Sequence, residues 1–237
     1  MLNIVIIADD LTGANDTGVQ LVRKGIRTAV QIDYRYPPLC SYEALVFDTD
    51  SRSDEPKTAY RKVLQLCESV RKAGAKTIYK KIDSTLRGNI GAELDAIFDV
   101  FNPDFVVIAP SFPSNGRTVV DGHLFVNGVP LHNTDIAKDP KTPVTESSLL
   151  SLLAKQATRK VAHITINKLY EGLDYFKRWI DKKKKAQVPY LVFDAKTDED
   201  LSMIVRMFHQ LNYNVIWCGS AGLANALANA IISERFQ

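Results

Sequence analysis

The chain has 237 residues and carries 30 lysines and arginines against 27 acids, a formal net charge of +3. Its 46% hydrophobic and 24% charged residues are typical of a globular protein and exclude disorder, collagen-like sequence and a disulfide scaffold. The length is sufficient to bury a full core, and we expect one domain over residues 1–237. So small a net charge gives no argument for a nucleic-acid partner.

The cysteines and histidines predict no structural metal site. Cys40, Cys67 and Cys218 are an odd number without CxxC spacing, which is typical of a reducing compartment. The four histidines form no HxH or HxxxH pair. No apolar run approaches the roughly 18 residues of a membrane span, and the N-terminal run lacks a signal peptide's basic start. We therefore expect a cytoplasmic protein with no membrane partner and no metal of its own.

Short runs rich in β-branched residues alternate with longer amphipathic segments. The predicted strands, apolar on both faces, are residues 2–8, 27–32, 44–47, 77–82, 105–109, 161–166, 190–193 and 214–218. The predicted helices, with apolar residues three or four positions apart, are residues 13–24, 56–73, 90–101, 145–156, 169–184, 198–211 and 221–232. This alternation predicts an α/β three-layer sandwich around a mostly parallel, Rossmann-like sheet.

Residues 110–143 break this alternation. The segment is rich in proline, and its Asp121-Gly122 and Asn127-Gly128 dipeptides are strong signals for tight turns between short strands. We expect a β excursion from the main sheet that serves as a flap or as a surface for association.

Ligands of an open parallel sheet collect at the carboxyl ends of its strands, so the residues that follow each strand are the candidates. Asp9 and Asp10 follow the first strand, and Thr12 and Asn15 lie at the start of the next helix. A carboxylate there could accept hydrogen bonds from substrate hydroxyls, act as a base or hold Mg²⁺. The alternative is that Asp10 or Thr12 only caps the helix.

Arg52 follows the third predicted strand. Its guanidinium could make a bidentate contact with a carboxylate or phosphate of a ligand. The alternative is a surface salt bridge with Asp48 or Asp50.

The segment after the fourth strand, residues 80–89, carries the strongest signal. Two lysines close a buried strand, where charge is costly unless it is paired. Hydroxyl, amide and guanidinium groups follow before the next helix, and together they suit an anionic, hydroxylated molecule. The candidate ligands are Lys80, Lys81, Ser84, Arg87 and Asn89, and Asp83 is a candidate catalytic residue.

Small residues follow the last predicted strand. Gly219 and Ser220 open a helix, which allows either an approach by an anionic ligand group or close packing of helix on sheet. The chain has no GxxxxGK[ST] loop for ATP, and it lacks the GxGxxG fingerprint, which disfavours a dinucleotide-dependent oxidoreductase.

At these residues the chain resembles the four-carbon acid sugar kinases, a family once catalogued as a domain of unknown function. The matching stretches follow the family's order and are ADDLTGANDTGVQ (8–20), DTDSR (48–52), KKIDSTLRGNIGAEL (80–94), PSFPSNGRTVVDGHLFVNGVPL (110–131), DPKTPVTES (139–147) and GSAGLANAL (219–227). Each motif alone is weak, but the combination is highly specific.

The resemblance implies an ATP-dependent kinase that phosphorylates the terminal hydroxyl of threonate, erythronate or 3-oxo-tetronate. Family members have an N-terminal sugar-acid domain and a C-terminal nucleotide domain. Because this sequence ends soon after GSAGLANAL, we expect it to be the sugar-acid half, with ATP and Mg²⁺ belonging to the full-length enzyme. The expected partners are the sugar acid, a nucleotide-binding domain or separate chain, and a second copy in a homo-oligomer.

The resemblance also suggests roles for the strand-end residues. Four cations would hold the substrate carboxylate and balance the charge of the transferring phosphate: Arg52, Lys80, Lys81 and Arg87. Asp9, Asp10 or Asp83 would orient or deprotonate the terminal hydroxyl. An alternative from another class is a non-catalytic module that binds an acidic metabolite or docks a partner domain.

Overall fold

The structure, a computed structural model, describes residues 3–32 and 42–233. Eleven strands occur in this part of the chain: β1 (Ile4–Ala8), β2 (Thr28–Gln31), β3 (Ala44–Asp48), β4 (Thr77–Lys81), β5 (Phe105–Ala109), β6 (Arg117–Val120), β7 (His123–Val126), β8 (Val129–Pro130), β9 (Val161–Ile164), β10 (Tyr190–Phe193) and β11 (Val215–Gly219). Eight of them form one sheet in the order β2-β3-β1-β4-β11-β5-β10-β9, and each of its described pairs is parallel. The predicted parallel sheet is confirmed.

Helices cover both faces of this sheet. They are α1 (Leu11–Arg23), α2 (Pro56–Ala73), α3 (Ile90–Phe101), α4 (Leu149–Gln156), α5 (Ile166–Leu169), α6 (Leu173–Lys185), α7 (Asp198–His209) and α8 (Ala221–Ser233). Successive side chains of β1 enter two different cores: Ile4 and Ile6 pack with α1, α6, α7 and α8, whereas Val5 and Ile7 pack with α2, α3 and α4. The alternation of side chains along a strand thus produces the predicted three layers.

Two predicted helices differ from those observed. The helix predicted over residues 169–184 is interrupted, because Gly172 has φ of 95° and separates α5 from α6. The helix predicted over residues 145–156 begins only at Leu149, since the Ser148 hydroxyl accepts a hydrogen bond from the Ser151 amide and caps the first turn.

The β excursion is a three-stranded antiparallel sheet, β6-β7-β8. Both predicted tight turns occur, with positive φ at Asp121-Gly122 and Asn127-Gly128. The first turn is fixed to the main sheet, because the Asp194 carboxylate at the end of β10 accepts both of its amide hydrogens. Val119 and Leu124 are fully buried. The β excursion is therefore packed into the core and held at the carboxyl end of β10.

The strand order creates a switch point between β1 and β4. The chain leaves β1 through α1 toward β2 on one side, and it leaves β4 through α3 toward β5 on the other. Because α1 and α3 lie on opposite faces, a crevice opens at the carboxyl ends of these two strands.

None of the helices described has the length and apolar character needed to cross a bilayer. Cys67 and Cys218 are buried free thiols, and Cys40 lies outside the described residues.

Candidate functional site

A polar cavity of about 320 Å³ occupies the crevice at the switch point. The residues predicted from the sequence that line it are Asp10, Thr12, Arg52, Lys81, Asp83, Ser84, Arg87 and Ser220. Residues that the strand-end argument missed also line it: Gly13, Asp16, Phe112, Asn115 and Ala221. The loops after β1, β3, β4 and β11 thus meet in one place, as the parallel topology requires.

Arg52 is held by both acids that follow β1. Its Nε and Nη2 donate to the two carboxylate oxygens of Asp9 at 2.7 and 3.0 Å, and its Nη1 donates to Asp10 Oδ2 at 2.5 Å. Burial works against the charged guanidinium, but these carboxylates outweigh it and raise the pKa of Arg52. Arg52 therefore fixes the loop after β3 to the end of β1. The salt bridge with Asp48 or Asp50, which the sequence left open, is not the contact observed.

Asp10 also caps α1. Its Oδ1 accepts a hydrogen bond from the Gly13 amide at 2.8 Å. A Cβ atom on Gly13 would lie 2.7 Å from that oxygen and 2.9 Å from Lys81 Nζ. Glycine at this position allows the first turn of α1 to approach both charged groups.

Lys81 provides the cavity with an ammonium group. The residue is 5% exposed, and its Nζ donates to the Ile82 carbonyl at 2.9 Å. Among the described residues, no carboxylate lies within ion-pair distance of Lys81. Burial lowers the pKa of Lys81 more than the nearby carboxylates of Asp9, Asp83 and Asp10 raise it, so these carboxylates compensate its charge only in part. An anion in the cavity would supply the missing partner.

Asp83 is bound to the arginine four residues later. Arg87 Nε and Nη2 donate to its two oxygens at 2.7 and 3.2 Å, and the Thr85 hydroxyl donates as well. Burial favours the neutral acid, but these hydrogen bonds stabilise the carboxylate more strongly and lower the pKa of Asp83 to about 2. A carboxylate so stabilised is a weak proton acceptor, which disfavours Asp83 as the base that was expected from the sequence. Arg87 also donates to Asp139 at 2.9 Å.

Lys80 does not reach the cavity, contrary to the expectation that it holds the substrate. Its side chain is fully buried, and Nζ lies 2.6 Å from Glu93 Oε2 and 2.9 Å from the Lys81 carbonyl. Glu93 Oε1 in turn accepts a hydrogen bond from the Ser51 hydroxyl at 2.7 Å. Lys80 thus joins β4, α3 and the loop that carries Arg52, and its role is in the framework.

Four further predicted residues do not line the cavity. Asp9, a candidate catalytic residue, is 3% exposed, and both of its carboxylate oxygens accept hydrogen bonds from Arg52. Asn89 donates to the carbonyls of Ser51 and Asp54 at 3.1 and 2.8 Å, which holds the Arg52 loop. Asn15 is exposed on α1. A Cβ on Gly219 would lie 2.6 Å from the Ala109 carbonyl oxygen, so this glycine serves close helix-sheet packing.

The residues that were missed had a different signal. Asp16 belongs to the ADDLTGANDTGVQ stretch, and Asp139 opens DPKTPVTES. Both lie away from a strand end, one on a helix and one on a loop of the β excursion. Only the family resemblance could have indicated them.

A larger cavity of about 480 Å³ lies at the opposite edge of the sheet, around the amino ends of β5 and β10. Parallel sheets bind ligands at their carboxyl ends. Two of its cations are already paired, Arg159 with Asp95 and Lys184 with Asp104. We therefore place the functional site at the switch point.

A family model described as the sugar-binding N-terminal domain matches residues 4–227. The chain belongs to this family. The earlier resemblance, drawn from six stretches of sequence, is thereby confirmed.

The curated relatives of this sugar-binding N-terminal domain include kinases. D-erythronate kinase from Heliobacterium modesticaldum is 37% identical over 100% of this chain and 55% of its own length. D-threonate kinase from Salmonella typhimurium is 37% identical over 95% of this chain and 53% of its own length. The chain spans about half the length of the curated relatives it matches.

A solved structure shares the fold of the sugar-binding N-terminal domain. A Bordetella bronchiseptica protein, described as a domain of unknown function with bound citrate in a domain-swapped dimer, matches with a TM-score of 0.84 and 35% identity. The match covers 98% of this chain and 56% of that protein.

Proposed function

We propose that this chain is the sugar-acid-binding part of an ATP-dependent kinase that phosphorylates the terminal hydroxyl of a four-carbon acid: threonate, erythronate or 3-oxo-tetronate. The observation that carries the proposal is the buried Lys81 ammonium, which faces a polar cavity and has no carboxylate partner among the described residues. A substrate carboxylate at Lys81 would complete this ion pair. The names of the relatives support the substrate class.

The rest of the cavity suits a hydroxylated molecule. Thr12, Ser84 and Ser220 line it with hydroxyl groups, which can both donate and accept hydrogen bonds. Arg52 and Arg87 are each held by two carboxylates, so their guanidinium groups have fixed positions in the lining of the cavity. In our proposal Asp10 faces the substrate while it holds Arg52 in place.

The described residues offer no clustered side-chain ligands for a Mg²⁺ ion. No group of three or more His, Cys, Asp or Glu side chains in the described ranges could hold a metal ion. The carboxylates of Asp9, Asp10 and Asp83 are already engaged by arginines. We therefore propose that ATP and Mg²⁺ bind a separate nucleotide-binding domain. That domain would correspond to the part of the relatives outside this match, or it would be another chain.

We also propose that the enzyme acts in the cytoplasm and that it forms a homo-oligomer.

Calorimetric titration tests this function. The chain is titrated with D-threonate, L-threonate, D-erythronate and 3-oxo-tetronate, first alone and then with Mg·ATP. We expect at least one acid to bind without ATP, and Lys81→Met to weaken that binding at least tenfold because a charged hydrogen bond is lost. Glu68→Gln removes a charge from the exposed face of α2 and is the matched control.

Two results would contradict the proposal at different levels. Failure of all four acids to bind under both conditions would refute the substrate class. Binding of an acid without ADP release, with the nucleotide-binding domain present, would favour a non-catalytic module for acidic metabolites.

A further inference from the structure

The cavity contains one carboxylate that the fold leaves unpaired. Asp10 is engaged by Arg52 and Asp83 by Arg87, whereas Asp16 lines the same cavity and makes no hydrogen bond or ion pair with any described residue. Each arginine binds two carboxylates, Arg52 those of Asp9 and Asp10 and Arg87 those of Asp83 and Asp139, whereas Lys81 and Asp16 form no ion pair with a described residue. The Lys81 ammonium and the Asp16 carboxylate are thus charged groups of the cavity without a direct partner, and they are available to bind the two ends of a ligand.

The positions of these groups follow from α1. Lys81 Nζ lies 2.9 Å from the place where a Gly13 Cβ would stand. Asp16 is three residues after Gly13, and side chains with this spacing are neighbours on one face of a helix, with Cβ atoms about 5–6 Å apart. Asp16 therefore begins one helical turn from the ammonium. A short acid with its carboxylate at Lys81 would extend its other end along α1 toward Asp16.

We propose that Asp16 is a specificity-determining residue, which accepts a hydrogen bond from the hydroxyl at the end of the acid opposite its carboxylate. This inference rests on the function proposed above. An ionised carboxylate only accepts hydrogen bonds, so it binds a terminal hydroxyl and repels a second carboxylate. Asp16 thus selects monoacids with a hydroxylated end and rejects diacids of the same chain length, by attraction and repulsion together.

The test compares three ligands on four proteins. The ligands are the best-binding acid of the calorimetric panel, its 4-deoxy analogue, and the tartrate in which the terminal CH₂OH is replaced by a carboxylate. The proteins are wild type, Asp16→Asn, Asp16→Ser and the control Glu68→Gln. Asp16 is exposed and makes no described contact, so both variants should fold, which circular dichroism checks.

We expect wild type and Glu68→Gln to prefer the hydroxylated acid to its 4-deoxy analogue by about tenfold or more, and to bind tartrate poorly. Asp16→Asn and Asp16→Ser should lose most of this preference and should bind tartrate more tightly than wild type does. An unchanged preference, with no gain in tartrate affinity, would overturn the role of Asp16. Absence of binding by every acid to wild type would instead overturn the proposed function on which the role rests.

Discussion

The buried pair of Lys80 and Glu93 gives a quantitative test of the framework. Lys80 Nζ has three oxygen neighbours: Glu93 Oε2 at 2.6 Å, the Lys81 carbonyl at 2.9 Å and the Ile7 carbonyl at 3.3 Å. Burial works against the charge of Lys80, but Glu93 outweighs it and raises the Lys80 pKa. Burial also raises the pKa of Glu93. Each of the two charges is therefore stabilised in the core mainly by the other.

Lys80→Met removes one partner and keeps a long apolar side chain. Glu93, 1% exposed, then keeps the Ser51 hydroxyl as its donor but has no cation. Loss of one member of a buried ion pair costs about 3–5 kcal/mol. For a domain of this size, about 2–4 °C of melting temperature accompanies each kcal/mol, so we expect a decrease of about 6–20 °C.

The assays are thermal unfolding and equilibrium unfolding in urea of wild type, Lys80→Met, Glu93→Gln and the double variant. Both single variants should lose stability, and the double variant should be more stable than either, because it leaves no uncompensated buried charge. A Lys80→Met protein as stable as wild type, but unable to bind the sugar acid, would refute the framework role and return Lys80 to the substrate site.

Three further predictions concern the cavity. In Gly13→Ala, the new methyl would displace Asp10 Oδ1 or Lys81 Nζ, so acid affinity measured by calorimetry should fall about tenfold while helix content is unchanged; unchanged affinity would contradict this geometry. Acid affinity should also fall as pH rises through the lowered Lys81 pKa, because the free protein loses its ammonium before the complex does; Lys81→Arg should remove this dependence in titrations from about pH 7 to 10. Asp83→Asn should cost about 2 kcal/mol in urea unfolding at neutral pH, since the folded pKa of Asp83 is about 2 against 3.8. The stabilisation by Asp83 is present above about pH 4 and is lost as the pH falls through 2. The difference in the free energy of unfolding between wild type and Asp83→Asn should therefore become smaller in acid. A difference that stays constant with pH would contradict the contact.

The sequence predicted the sheet well because its strands are buried on both faces and appear as continuous apolar runs. The interruption near Gly172 was missed, although a glycine within a helical pattern is a recognised end signal. Apolar spacing on both sides of Gly172 concealed the break. The observed φ of 95° is available to glycine at low cost, and Gly172 is the N-cap residue from which α6 begins.

The candidate site was predicted in outline only. The strand-end rule indicated Lys80 and Lys81 equally, but adjacent side chains of a strand point to opposite faces. The rule could not say which lysine faces the crevice, because that depends on Glu93, which lies on a different helix. Asp16 and Asp139 were not predicted from the sequence for a similar reason, because their position near the cavity depends on packing between distant segments.

The division of roles between the two lysines follows from the switch point itself. On one face of β4, Lys80 meets Glu93 of α3 and holds the Arg52 loop through Ser51. On the other face, Lys81 meets the first turn of α1, where Gly13 leaves room and no carboxylate of the described residues comes within ion-pair distance of the ammonium. One strand therefore uses a paired charge to fix the crevice and an unpaired charge to bind within it. Because an unpaired buried charge is stabilised by an anion that completes it, the poor compensation of Lys81 is itself the physical basis for ligand affinity.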